Sequence, residues 1–251
     1  MVPPAATQPM SAVSVVAQNT RGDKRAKRPT ALVYRGPVSC QGCSEATARL
    51  LRTSRDRFVV HYVGPREARK LTTASLAGVT LYAQPGGDSS VKKADQLFGK
   101  AAKRVIKTFV KGGGKYLGIC EGAYLAGSGP GMGLLSPGNT GQYIATKGAT
   151  THSPADTVVQ VTWLGKRRTV FFQDGPYILA SHTRGERVLA RYTNGKIAAL
   201  VKNYGAGRVG VVGPHPEAPA SWFREAGISG KAQGRNTADL GHQLINATMA
   251  S

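Results

Sequence analysis

The segment Lys115-Tyr-Leu-Gly-Ile-Cys120-Glu-Gly122-Ala-Tyr124 narrows the folds open to this chain more than any other. A short apolar run ends in a cysteine, a glycine stands two residues to either side, and a helix-compatible stretch follows. That is the layout of a nucleophile carried on a sharp strand-to-helix turn. The turn strains its own backbone, and a side chain at either flanking position would collide with it, so glycine is the residue expected at both. Farther along, Gly213-Pro-His215-Pro-Glu217 offers a base and, two residues on, a carboxylate to orient it.

Each residue type has a physical task. A free thiol titrates near about 8.5, and a helix N-terminus and a neighbouring imidazole both favour its thiolate. His215 takes a proton and later delivers it to a leaving group. Glu217 holds the imidazole in one tautomer. A tetrahedral intermediate needs two amide donors for its oxyanion. The N–H of Glu121 is one, and the side-chain-free Gly86-Gly87 is the natural source of the other. Cys120 as an inert core cysteine is the competing reading, since a cysteine after a strand is more often core than catalytic. The glycine pattern and the His-x-Glu favour the nucleophile.

The surrounding sequence predicts the frame for such an elbow. Thr30–Tyr34, Arg57–Val63, Val79–Ala83 and Tyr116–Ile119 read as short buried strands. Ser44 is the expected N-cap of a helix to Arg52. The apolar positions Ala94, Leu97, Phe98, Ala101, Val105, Phe109 and Val110 follow a helical period over Val91–Lys111, which Gly112-Gly-Gly114 ends. Strands alternating with helices predict an α/β layer fold with a mainly parallel sheet, whose active site lies at the carboxyl ends of the strands. From about Pro130 to Gly213 the pattern turns β-rich, with a hairpin at Asn194-Gly195, and predicts mostly antiparallel strands that bring the chain back to the main sheet before His215. Helices are expected over Ala218–Ala226 and Thr237–Thr248.

The division expected is a flexible basic tail over residues 1–29 and one domain over 30–251. With 34 Lys+Arg against 13 Asp+Glu the net charge is +21, a field that attracts polyanions. The cations are scattered, and only Arg21–Arg28 is a dense cluster, so weak non-specific polyanion binding is the most that charge implies. No apolar run reaches the ~20 residues that span a bilayer. Met1–Thr20 lacks the basic start and apolar core of an export signal. A plain tail and the remainder of a signal cut by a misplaced start codon both fit it, leaving cytoplasmic and exported locations open. Oligomeric state is equally open. Cys40 and Cys43 form a lone Cys-x-x-Cys. Without a second ligand pair it implies no zinc, and a local disulfide, a redox pair and two free thiols all remain open. No cofactor or metal is called for.

Taken jointly, Leu32-Val-Tyr34 with Gly36-Pro37, Gln84-Pro-Gly-Gly-Asp88, Gly118-Ile-Cys-Glu-Gly-Ala-Tyr124, Phe172-Gln-Asp-Gly-Pro-Tyr177 and Gly213-Pro-His-Pro-Glu-Ala218 resemble the biotin-protein ligase N-terminal domain family, within the class I glutamine amidotransferase-like superfamily. The resemblance runs over roughly residues 30–225. It implies a flavodoxin-like three-layer sandwich with a nucleophile elbow and a β-rich C-terminal half. It also implies a Cys120–His215–Glu217 triad acting on an amide or related carbonyl through a thioester. Gly86, Gly87, Asp88, Glu121 and Tyr124 are the expected oxyanion and substrate-binding positions. The chain is too short to hold a ligase domain after this one, so biotin ligation is not implied. Ala123-Tyr124 stand where glutamine amidotransferases usually carry a glutamine, so a catalytically silent small-molecule-binding or regulatory domain is the alternative.

Overall fold

A computed structural model describes residues 1–2, 27–87, 90–228 and 237–250. Asp88 and most of the basic tail, including Arg21–Ala26, lie outside the described residues. Strands β1 (Thr30–Tyr34), β2 (Val59–Val63), β3 (Leu81–Gln84), β4 (Lys115–Ile119) and β11 (Gly207–Val212) pair in parallel in the order β2-β1-β3-β4-β11. Beyond β11 the sheet continues through β10 (Ile197–Tyr204), β9 (Arg187–Tyr192), β6 (Thr157–Trp163) and β7 (Lys166–Phe172), all antiparallel. β5 (Asn139–Gln142) pairs β8 (Pro176–Leu179), which joins β10.

Among the described residues the fold is therefore α/β, with a mixed sheet of 11 strands rather than the mainly parallel one expected. The reason is local chain economy: segments of the β-rich half are joined by tight turns, such as the one in which Gly195 (φ 82°) donates to Tyr192 O, and tight turns permit only antiparallel neighbours.

Alternation along the strands divides the core between two faces. Ala31, Val33, Leu81 and Leu117 pack with Leu51 of helix α1 (Cys43–Thr53) and Leu244 of α5 (Ala238–Met249). Leu32, Tyr82 and Tyr116 pack with Phe98, Ile106 and Val110 of α2 (Val91–Lys111) and Leu125 of α3 (Glu121–Ala126). Helices thus cover both faces of the parallel half, and a strand buried on both faces is read as a continuous apolar run.

Two local expectations are corrected. Helix α1 begins at Cys43 behind a left-handed Gly42 (φ 77°), with no side-chain cap. Ser44 instead donates to Tyr34 O at 2.8 Å, tying the helix start to the end of β1. Helix α2 is kinked at Gly99 (φ 78°, ψ 160°), a conformation open to glycine. A short helix α4 (Ala220–Glu225) follows the His215 loop. Among the described residues, no helix is long and apolar enough to cross a membrane.

Candidate active site

Four neighbouring parallel strands deliver the site. β1, β3, β4 and β11 end on one edge of the sheet, and the chain leaves them into the Cys40–Cys43 loop, Gly86-Gly87, Cys120 and His215 respectively. In open α/β sheets this carboxyl edge, near the point where strand order reverses, is where ligands bind.

Cys120 is the elbow. Its backbone sits at φ 51°, ψ −109°, outside the helical region, while its N–H donates to Val212 O at 2.9 Å and its carbonyl accepts from Ala123 and Tyr124 at 2.9 and 3.1 Å. Strand and helix together hold the strained turn. The flanking glycines are required for packing: a Cβ at Gly118 would lie 2.5 Å from Gly122 O, and one at Gly122 would strike Gln84 O. The helix behind the cysteine is only six residues long. The expected help from a helix dipole is correspondingly small, because the dipole sums over aligned peptides, and the imidazole carries the electrostatics.

His215 is 1% exposed. Its N–H donates to Phe171 O at 2.8 Å, and its ring lies edge-on to Trp222 and Phe171, with centroids at 5.5 and 6.0 Å. Nδ1 lies 2.9 Å from Glu217 Oε1. A carboxylate only accepts, so Nδ1 carries the proton and Nε2 has no hydrogen-bond partner. Burial works against the imidazolium, but the charges of Cys120 and Glu217 outweigh it, and His215 titrates well above its ordinary 6.5. The Cys120 thiol, 3% exposed, donates to Gln173 O at 3.4 Å.

The glycine loop fits against these groups. A Cβ on Gly86 would lie 2.7 Å from His215 Cε1, 3.4 Å from Cys43 Sγ and 3.5 Å from Cys120 Cβ. One on Gly87 would strike the Glu121 carboxylate. Cys40 and Cys43 are joined as a disulfide with Cα atoms 5.3 Å apart, and Cys40 N–H donates to Gly86 O at 3.0 Å. Of the sequence alternatives for this pair, the structure has the bonded one.

A cavity of about 450 Å³ opens over the sulfur, lined by Gly87, Cys120, Glu121, Tyr124, Gln142 and Asp174 among others, a volume in the range of small-molecule sites. Burial first, then the nearby charges of Asp174 and Cys120, raises Tyr124 far above its ordinary value, so it stays a neutral phenol, and its hydroxyl donates to Asp174 O at 3.2 Å. Asp174 (φ 45°) has its own value raised by burial, opposed by hydrogen bonds from Gln142 Nε2 to both carboxylate oxygens at 2.9 and 3.0 Å.

The structure thus brings Cys120, His215, Glu217, Gly86, Gly87, Glu121 and Tyr124 together. Sequence reading did not find Gln142, Phe171 or Trp222. Gln142 lies on the edge strand β5 and carries no local signal, and the two aromatics read as ordinary core residues. Among the described residues, no cluster of histidine, cysteine and carboxylate side chains could hold a metal ion.

Comparison with known proteins bears on the fold. Residues 30–129 match the biotin-protein ligase N-terminal family. A Thermoplasma acidophilum protein assigned to GMP synthase shares the fold at TM-score 0.57 and 11% identity, over 88% of this chain and 94% of that one. A glutamine amidotransferase matches at TM-score 0.54 and 15% identity, over 78% and 99%. An exo-β-1,4-mannosidase from an Opitutaceae bacterium matches at 0.51 and 14% identity, over 90% of this chain but 37% of that larger one. No curated protein sequence matches. Residues 30–129 therefore carry the biotin-protein ligase N-terminal pattern, and the fold is that of the class I glutamine amidotransferase-like proteins.

Proposed function

We propose that this chain is a cysteine-dependent amidohydrolase or amidotransferase-like enzyme, with residues 30–251 acting as one unit. The observation that carries the reading is the pairing at His215: Nδ1 is held by a buried carboxylate while Nε2, buried beside Cys120, has no partner. Nε2 of His215 takes the Cys120 thiol proton, the sulfur attacks the amide carbon, and the carbonyl electrons move onto oxygen between Glu121 N–H and the Gly86-Gly87 loop. As the C–N bond breaks, the imidazolium gives its Nε2 proton to the leaving amine, and a thioester remains. Water, or an acceptor amine, then loses a proton to Nε2 and attacks. The C–S bond breaks and the thiolate–imidazolium pair is restored. The Cys40–Cys43 disulfide braces Gly86 in this scheme, through the Cys40 N–H bond.

The test is the pH dependence of iodoacetamide labelling at Cys120, mapped by mass spectrometry, beside His215→Ala. Fast labelling at pH 6 that slows in the variant is the expected result. Ordinary thiol behaviour in both proteins, with Cys120 accessible, rejects the enzyme reading.

The competing reading, a catalytically silent small-molecule-binding domain of this fold, draws on one observation. The thiol is engaged by Gln173 O, in a cavity that Tyr124 lines. Saturable ligand binding with an unreactive Cys120 would favour it. Separately, weak polyanion binding is proposed for the basic face around Lys100, Lys103, Arg104, Lys107 and Lys111 of α2.

A further inference from the structure

Carboxylates are scarce in this chain, 13 against 34 lysines and arginines, yet they gather at the nucleophile. Glu121 and Asp174 line the cavity over Cys120, and no lysine or arginine is among its described lining residues. Glu217 is bonded to His215, and Asp156 lies near enough for the two charges to interact. Two of the thirteen acidic residues therefore line the cavity over the sulfur of a strongly cationic protein, and two more interact with His215.

Asp174 is the one placed to touch a bound molecule. Its residue is held in the left-handed region (φ 45°), with its own carbonyl taken by the Tyr124 hydroxyl and the preceding carbonyl, Gln173 O, taken by the Cys120 thiol. The carboxylate thus stands one residue from the sulfur's own partner. A single Gln142 amide reaches its two oxygens. Two N–H groups fill at most two of the roughly four lone-pair sites of a carboxylate, so acceptor capacity is left for a ligand. Glu121 is deeper, 3% exposed, with its carboxylate against Gly87. A second polar group, independent of these acids, is His215 Nε2, buried without a hydrogen-bond partner beside Cys120 and not itself part of the cavity lining.

We infer that the substrate is a cationic amide, whose ammonium or guanidinium group pairs with Asp174 while its carbonyl meets Cys120. This rests on the nucleophile reading above and adds the substrate class. An amide that also carries a carboxylate, as free glutamine does, finds no lining cation for it and is selected against. A unit charge about 6 Å away, at an effective dielectric between ~20 and ~80, corresponds to roughly a 3- to 100-fold effect on local occupancy.

The charge of the cavity can be read without knowing the substrate. Three methanethiosulfonates that modify Cys120, bearing a trimethylammonioethyl, a sulfonatoethyl or a plain methyl group, are compared on the full oxidised chain. In each case the sulfur attacks the reagent's sulfenyl sulfur and methanesulfinate leaves. Rates are divided by those of a small free thiol. The expected cation-to-anion ratio is about tenfold or more at pH 7. It should fall severalfold in Asp174→Asn, a residue that tolerates the left-handed backbone. It should also fall in the unaltered protein as pH drops through the raised value of Asp174, a check that stands if the variant fails to fold. A faster anionic reagent is what the +21 net charge alone would produce; that result, or a ratio indifferent to Asp174, overturns this inference and leaves the nucleophile intact. No labelling of an accessible Cys120 by any of the three overturns the nucleophile reading, and this inference with it.

Discussion

Replacing Glu217 by glutamine removes a charge from His215 while keeping the shape of the side chain, and the consequence can be sized from the structure. The carboxylate oxygen is 2.9 Å from Nδ1, and both side chains are buried. At an effective dielectric of ~20, two unit charges at that separation interact by about 6 kcal/mol, or ~4 pKa units at 1.36 kcal/mol each. That is an upper figure, because the desolvation of both groups opposes it and a neighbouring opposite charge typically moves a pKa by about 1–3 units. Burial already pushes His215 down, and Cys120 and Glu217 are what chiefly hold it up. Glu217→Gln should therefore lower the pH at which His215 titrates. The assay is a pH titration of the histidine Cε1–H signals by heteronuclear NMR, with His215 assigned from His215→Ala. The sign carries over to stability. A histidine raised above its unfolded value contributes stability that is fully present below pH ~6.5 and is lost as pH rises through the folded value. The variant should lose most stability, relative to the parent, at acid pH. A His215 that titrates identically in both proteins would refute the charge pairing, and with it the imidazolium assigned to the leaving-group step.

Gly86→Ala should disable the site more than the fold. Its Cβ would be 2.7 Å from His215 Cε1, so the imidazole must shift; the expected cost is about 1–3 kcal/mol by denaturant unfolding, together with loss of the pH 6 labelling of Cys120. Lys202→Met should be a purely structural lesion: the ammonium is buried and donates to Leu135 O, Ser136 O and Ser181 Oγ at 2.9, 2.9 and 2.7 Å, and three stranded acceptors predict a loss of about 2–4 kcal/mol in urea unfolding with His215 titration unchanged. Binding to heparin should be weak and fall steeply between 50 and 200 mM salt, roughly as expected of counterion release; salt-insensitive binding would remove the polyanion proposal.

Much of the candidate site around Cys120 was legible in the sequence because its signals are local. An elbow needs glycine at 118 and 122, a glycine loop needs close approach at 86 and 87, and His215 and Glu217 lie two residues apart. The parallel strands were legible for the same reason, since burial on both faces writes a continuous apolar run. What failed was non-local. Nothing near Ser44 shows that its hydroxyl is committed to Tyr34 O rather than to a helix cap. The strands β5 and β8 are short, only partly buried and glycine- or proline-bearing, and they are strands because they find each other. The sheet was expected to be mainly parallel because its first half advertises that geometry strongly, whereas the hairpins of the second half enter the same sheet through register that no single segment encodes.

The two halves of the sheet divide the labour of the site. The parallel half, ending in β1, β3, β4 and β11, supplies Cys120, His215 and the glycine loop, the proposed reacting groups, all fixed by backbone constraints that leave little room for change. The antiparallel half supplies the wall opposite them. The turn between β7 and β8 sets Gln173 O on the sulfur and Asp174 in the cavity, β5 brings Gln142 to that carboxylate, and Phe171 of β7 bridges to the backbone of His215. Side chains on the turn between β7 and β8 can be exchanged while Gln173 O stays on the sulfur, because that contact is made by backbone and neither flanking glycine touches the turn. Changes in the 173–174 turn should therefore alter which amide is taken while leaving the reactivity of Cys120 to His215 and Glu217.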